Sequence, residues 1–415
     1  MKVIHLNTFD SGGAAIAVKR LHLALLEQGI ESKMLFVNKA SNAIKETFEV
    51  EARTFTLWDR FKIKLKVLLK QPIGYWQYSG YHLEGQTSNK ELFSFPFSDF
   101  DLTLNQHIEE ADVINLHWVP SMWDYNLFQK LNKPIVWTLH DMNPFSGGCH
   151  YSGNCIGFTT DCKNCPQLEG TRNPNFASKL LKYKRKYIKC NNISYVTLCD
   201  WMITRLKDSS VFKDEKVFKI YNSLDTKIFK PINQTKARTA LSVPLDRKIV
   251  LFVSERTDNY RKGGYMLSRI IHILKEENIY FYAIGASEMP NLDENLVQLG
   301  VIQDEKTMAT VYNIADVLIV PSIEDNLPNV MLEALCCGLP LVSFSNGGMN
   351  EIIKPGENGL LVEEQTPEAM ISAVKEYFLN SGNYDKSNIS ENAQSLFNAS
   401  NQAKAYIEVY QELLK

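Results

Sequence analysis

The chain has 415 residues, 45% of them hydrophobic, and a formal net charge of −2. That length exceeds one ordinary hydrophobic core and calls for two domains, while the near-neutral balance excludes the basic footprint of a nucleic-acid binder. No run of eighteen apolar residues occurs and the first residues lack a long apolar secretory stretch. The expectation is therefore a cytosolic protein whose eight cysteines are free or metal-bound rather than disulfide-paired.

Residues 3–6, Val-Ile-His-Leu, read as a first strand. Ser11-Gly12-Gly13-Ala14 then permits a tight turn, and Ile16, Leu21, Leu25 and Leu26 carry helical spacing until Gly29 stops it. Taken alone, this glycine pair lacks the full dinucleotide fingerprint. Residues 32–37 supply a second strand. From 57 to 71 the sequence LWDRFKIKLKVLLKQ mixes basic with large apolar residues, and Tyr75, Trp76, Tyr78 and Tyr81 follow. The segment reads first as a helix covering the N-terminal sheet with its lysines in water. The alternative is a helix lying on an anionic membrane.

Residues 111–117 and 134–140 are the next strands, separated by helix-like sequence at 127–131, and both end in histidine. His140-Asp141 thus falls at a strand carboxyl end. Cys149, Cys155, Cys162 and Cys165 crowd the next stretch, the last two as C-x-x-C. Such crowding suits a closed four-thiolate zinc site that staples a loop and leaves no position open for chemistry. A redox pair, or thiols that merely cluster, are the rival readings. Helix over 177–189, strand over 193–198 and helix over 201–206 complete a first domain of residues 1–206, with 207–216 as linker.

The second domain, 217–390, repeats the pattern. A buried strand at 249–253 leads into a loop holding Arg256, Arg261, Lys262 and Gly263-Gly264 before a helix near Tyr265. Cations at a glycine-bearing helix start match a diphosphate, since arginine offers a fork of donors and lysine a compact charge. Strands follow at 279–284 and 296–301. The apolar run 315–320 is another, and beyond it a loop carries Glu324 and Asp325. Asn326 is the candidate N-cap and Pro328 suits a first turn of a helix that carries Glu333 and ends at Gly338. Residues 341–344 and 358–362 are further strands, and 367–379 and 399–414 are helices. Two carboxylates at a strand carboxyl end and a helix start suit a polyhydroxylated anion.

The stretch from Asp325 to Gly348 resembles the motif of the retaining glycosyltransferases of family 4. Two acids, Asp325 and Glu333, stand seven residues apart in between; Ala334, Gly338-Leu339-Pro340 and Gly347-Gly348 follow, with Glu351 beyond. The family usually places Glu where Asp325 stands, and Glu324 is one residue early. The Gly12-Gly13 turn is similar to the family's first glycine loop, His140-Asp141 to its His-Asp step, and Lys262 with Arg256 or Arg261 to its diphosphate clamp.

The resemblance implies an α/β protein of two Rossmann-like domains facing across a cleft, the GT-B arrangement, with residues 391–415 returning to the first domain. It implies transfer of a sugar from a nucleotide-diphosphate sugar to an acceptor hydroxyl, in bacterial surface polysaccharide synthesis. Asp325, Lys262 and His140 would be catalytic. Gly12, Gly13, Arg256, Arg261, Glu324, Asn329, Glu333, Gly347 and Gly348 would bind donor, with Glu333 on the ribose, Asp325 on the donor sugar and Glu324 turned to the surface. No metal would be required for catalysis, zinc being structural only. The acceptor would be a glycan or lipid-linked saccharide, with peripheral contact to an anionic membrane at the inner face of the cell. A sugar-nucleotide epimerase on the same fold and a non-catalytic sugar-nucleotide binder are the rivals.

Overall fold

The computed structural model describes all residues except 38, 40–43, 51–90, 99, 170–174, 189–191, 213 and 288–292. The basic segment 57–71 and the aromatics Tyr75, Trp76, Tyr78 and Tyr81 lie outside the described residues. The chain divides into two compact units: Met1–Leu198 with Met202–Ile220 and Ala403–Lys415, and Cys199–Trp201 with Tyr221–Gln402.

The first unit is built on seven parallel strands: β1 (Lys2–Leu6), β2 (Glu31–Phe36), β3 (Thr47–Glu49), β4 (Val113–Leu116), β5 (Ile135–Leu139), β6 (Ile193–Thr197) and β7 (Val217–Lys219). Their order is β3-β2-β1-β4-β5-β6-β7. The short apolar runs are buried at nearly every position, as strands covered on both faces must be. The order reverses between β1 and β4, the position at which open α/β sheets place ligands, outside the carboxyl ends of their strands.

The C-terminal helix Ala399–Leu413 contributes to this unit through buried tyrosines, each of which needs a partner for its hydroxyl. Asn115 Nδ2 donates to Tyr410 Oη at 2.7 Å, and Thr138 Oγ1 lies 2.9 Å from Tyr406 Oη. Residues 403–415 therefore belong with the first sheet. The preceding helix, Lys386–Leu396, does not: Ser390 Oγ donates to Cys336 O at 2.6 Å inside the second unit. The expected boundary at 391 thus moves to 402/403.

The expected boundary at 217 moves as well. Residues 217–219 form β7 and pair with β6, Tyr195 opposite Val217, so the first unit extends to Ile220. A three-residue edge strand carries too little periodicity to be seen in sequence.

The second unit holds six parallel strands: β8 (Lys248–Val253), β9 (Ile279–Ile284), β10 (Leu296–Gly300), β11 (Val317–Val320), β12 (Leu341–Phe344) and β13 (Gly359–Val362). Their order is β10-β9-β8-β11-β12-β13, so its reversal falls between β8 and β11. The helices Gly264–Leu274 and Pro367–Asn380 cover one face. Met266, Leu267, Ile270 and Ile271 of the first and Met370, Val374 and Tyr377 of the second pack with Val250, Phe281, Ile319 and Val342 in one core. Each such aliphatic side chain contributes roughly 1.5–3 kcal/mol on burial. Thr366 caps the second of these helices, accepting from Ala369 N at 3.2 Å, with Pro367 at its first position. Among the described residues no helix is long and apolar enough to cross a membrane.

Candidate active site

In the second unit, β8 and β11 are hydrogen-bonded neighbours, with Leu251 opposite Leu318 and Phe252 opposite Ile319. Their carboxyl ends therefore deliver two loops side by side at the point where the strand order reverses. The loop after β8 carries Arg261 and Lys262; the loop after β11 carries Glu324 and Asp325. Ile323 N donates to Arg261 O at 2.8 Å and stitches the loops together. Gly263, with φ +79°, permits this approach, because a Cβ there would lie 2.1 Å from Pro321 O.

Lys262 Nζ forms an ion pair with Asp325 Oδ2, and Arg261 Nη1 lies 3.6 Å from Asp325 Oδ1 while donating to Glu324 O at 2.9 Å. Asp325 is only 4% exposed, so its charge requires these partners. The register expected from the seven-residue spacing thus puts Asp325 among the cations. Glu324 departs from expectation: it is 8% exposed rather than turned to the surface. Arg261's bond to the Glu324 carbonyl holds this part of the loop inward.

The two candidate arginines separate clearly. Arg256 has a side chain 63% exposed and pairs with Asp258 at 2.8 Å, holding that carboxyl down to about 2 with help from Ser287. Arg261 is the arginine beside Asp325.

The helix Asn329–Cys336 begins after Pro328, later than an Asn326 cap requires. Asn326 instead accepts from Gly348 N at 2.7 Å through its carbonyl. Gly347 and Gly348 make that turn feasible: a Cβ at Gly347, where φ is +52°, would lie 1.7 Å from Asp325 O, and one at Gly348 would lie 2.2 Å from Asn326 O. Their structural service is to press this turn against the acidic loop. Glu333, 6% exposed, accepts from Tyr312 Oη at 2.8 Å. Asn329 Oδ1 accepts from Asn222 Nδ2 at 2.9 Å. Tyr312 was not legible as a site residue, since its helix, Glu305–Ile314, carries no motif.

In the first unit, Gly12 has φ +86° and precedes the helix Gly13–Glu27, so the glycine pair forms a loop-to-helix start after β1. His5 lies in β1, His117 follows β4 and His140 follows β5. These three strands are neighbours, and the imidazoles join in a row: His5 Nδ1 is 3.1 Å from His117 Nε2, and His117 Nδ1 is 3.1 Å from His140 Nε2. Burial disfavours the charged ring throughout, holding His5 and His117 well below the usual histidine range and His140 down to about 4.

Asp141 accepts from Trp118 Nε1 at 2.9 Å, from His150 Nδ1 at 2.6 Å and from Asn143 N at 2.9 Å. Despite its burial, the His150 ring and these donors keep its carboxyl below the usual range. His150 Nε2 in turn meets Ser94 Oγ at 2.8 Å. A pocket opens beside these groups, lined by His117, Trp118, Trp123, Tyr125, His140 and Asp141 among others. Aromatic rings with a few convergent polar groups are the usual lining of a small-molecule site. His117 and Trp118 follow directly on a strand, and that position at a carboxyl end was the signal for them.

Cys149, Cys155, Cys162 and Cys165 line a second pocket of this unit. Each of three thiols has its own partner: Ser146 for Cys149, the Gly157 N–H for Cys155 at 3.4 Å and the Gly147 backbone for Cys162. Burial pushes the Cys162 thiol up to about 11 and that of Cys149 higher still. Among the described residues no three His, Cys, Asp or Glu side chains are arranged to hold a metal ion. The four thiols share a pocket but are not a ready-made ligand set.

Two parallel-sheet α/β units, one carrying paired loops with cations and acids at its switch point, are the architecture of the GT-B fold. Residues 247–380 match the family model described as glycosyl transferases group 1. The chain is 27% identical over 325 residues to an uncharacterized glycosyltransferase of Methanocaldococcus jannaschii, covering 73% of this chain and 76% of that one. It is 20% identical over 323 residues to the putative colanic acid biosynthesis glycosyl transferase WcaC of Escherichia coli, covering 75% and 76%. The solved structure of HepE from Anabaena in complex with UDP and glucose is similar over 99% of both chains, with a TM-score of 0.68 and 14% identity. That last likeness bears on the fold.

Proposed function

We propose that the chain transfers a glycosyl unit from a nucleotide-diphosphate sugar to an acceptor hydroxyl, with retention at the anomeric carbon, in assembly of a surface polysaccharide. The observation that carries this is the grouping of Arg261, Lys262 and Asp325 on neighbouring loops at the β8/β11 switch point. Breaking the bond from the anomeric carbon to the diphosphate leaves negative charge on the departing oxygen. Lys262 and Arg261 stabilise that charge, a service a divalent ion performs in other enzymes. The acceptor oxygen bonds to the anomeric carbon on the same face, and its proton passes to the departing diphosphate.

Asp325 orients Lys262 and accepts hydrogen bonds from donor-sugar hydroxyls. Glu333, held by Tyr312, accepts from the ribose. His140 and the aromatic pocket of the first unit act on the sugar and the acceptor. The names of WcaC and of the UDP-bound HepE support a nucleotide sugar as donor and a polysaccharide context.

Incubation with UDP, GDP and ADP sugars tests the reading. Release of nucleoside diphosphate, with product of unchanged anomeric configuration by NMR, is expected. Formation of an epimer, or binding without turnover, overturns it.

A further inference from the structure

The row His5, His117 and His140 holds more information than three buried rings. Each N···N contact of 3.1 Å needs one donor and one acceptor, and burial keeps all three imidazoles neutral, with one N–H apiece. Two contacts among three neutral rings leave only two proton arrangements. In one, His5 Nδ1–H donates to His117 and His117 Nδ1–H donates to His140, so His140 carries its proton on Nδ1. In the other every proton shifts, His140 donates from Nε2, and the surplus N–H sits on His5 Nε2.

Two observations choose between them. His5 is 1% exposed and its Nε2 has no hydrogen-bond partner among the described residues, so the second arrangement strands a buried N–H, the less tolerated kind of orphan. The groups flanking the row agree. Beyond His5 stands the ring of His22, 6.4 Å away between centroids and itself bonded to Ser32 Oγ at 2.7 Å. At the other end the Asp141 carboxylate acts on His140, and the first arrangement moves positive charge toward it.

We propose that His5 and His117 are positioning residues that hold His140 as its Nδ1–H tautomer, so that this ring offers a hydrogen-bond donor to a sugar or departing-group oxygen and does not act as a base. This rests on the reading that His140 touches substrate. The tautomer can be observed independently of that reading.

The test is long-range nitrogen–proton NMR of the imidazoles in uniformly ¹⁵N-labelled full-length protein, beside steady-state kinetics. Wild type should show the Nδ1–H pattern at His140. His5→Met offers His117 Nε2 only a thioether acceptor and should move His140 to the Nε2–H form, with kcat lowered at least about tenfold and donor KM unchanged. His5→Gln, whose amide can donate to His117, should retain the Nδ1–H form and the rate. A wild-type Nε2–H signal at His140, or a tautomer unmoved in His5→Met, overturns the inference even if His5→Met folds poorly, because the wild-type spectrum alone decides the first point. His140→Ala with full activity would instead defeat the reading of His140 as a substrate contact.

Discussion

Lys262 Nζ and Asp325 Oδ2 form an ion pair across 63 positions of sequence, the lysine on the loop after β8 and the aspartate on the loop after β11. Because each orients the other, their substitutions should not add. Lys262→Ala should lower kcat more than it weakens donor binding, as expected for charge met mainly in the transition state. Asp325→Asn should cut kcat/KM on the order of ten- to hundredfold, the worth of a charged hydrogen bond expressed in the transition state. The double variant should fall well short of the product of the two effects. Glu324→Gln should leave kcat/KM near wild type, since Arg261 meets the carbonyl of Glu324. If Glu324→Gln is the damaging change and Asp325→Asn is silent, the assignment of the acids is wrong.

Arg261 and Arg256 should behave differently. Arg261→Ala removes a cation beside the buried Asp325 and should weaken donor turnover strongly. Arg256→Ala removes an exposed partner of Asp258 and should change stability and activity little, as for surface pairs. Parallel kinetics and melting curves on the two variants check this, and equal losses would contradict it.

Glu333 and Tyr312 form a second coupled pair. Glu333→Gln should raise the dissociation constant for the donor with a smaller effect on kcat, the mark of binding shared by ground and transition states. Tyr312→Phe removes the hydroxyl that holds Glu333 and should shift donor affinity in the same direction by a lesser amount. Calorimetric titration with nucleoside diphosphate measures both. Undiminished affinity in Glu333→Gln would take that acid out of the site.

The buried imidazoles make stability fall with acid. His140 is held down to about 4, and His5 and His117 are well lowered, chiefly by burial. The unfolded chain, with ordinary values near 6.5, therefore binds more protons than the folded one in this window. Their contribution is full above about 6.5 and is lost as pH falls toward 4. The melting temperature should drop between pH 7.5 and pH 5, and His117→Gln should flatten that drop. An equal drop in the variant would assign the acid sensitivity elsewhere.

The four cysteines of the first unit decide between a stapled loop and free thiols. They line one pocket but lack a ready-made ligand arrangement, so a zinc ion would have to draw their side chains together and displace their thiol protons. We propose that it does. Purified protein should carry about one zinc per chain, and a chelator should lower the melting temperature while leaving nucleotide binding intact. Metal-free protein of equal stability would overturn the zinc reading.

What the sequence determined alone is the local pattern. Short β-branched runs between amphipathic stretches can be satisfied only as buried parallel strands with helices between them, and the spacing from Asp325 to Glu333 already linked a loop to the second turn of a helix. Lys262 was legible because a cation at a glycine-bearing helix start has an evident use. What only the tertiary structure decided are relations between distant segments. Strand order placed the loops after β8 and β11 together, and the bonds of Arg261 to Ile323 and Glu324 within that pair set Arg261, not Arg256, beside Asp325. It aligned His5, His117 and His140, whose separations of 112 and 23 positions carry no periodic signal. It also assigned β7 to the first unit, since a three-residue strand is specified by the neighbour it pairs with rather than by its own residues. Burial worked the same way on Glu324: its neighbours in sequence suggested an exposed loop acid, whereas the packing of Arg261 against its carbonyl turned it inward.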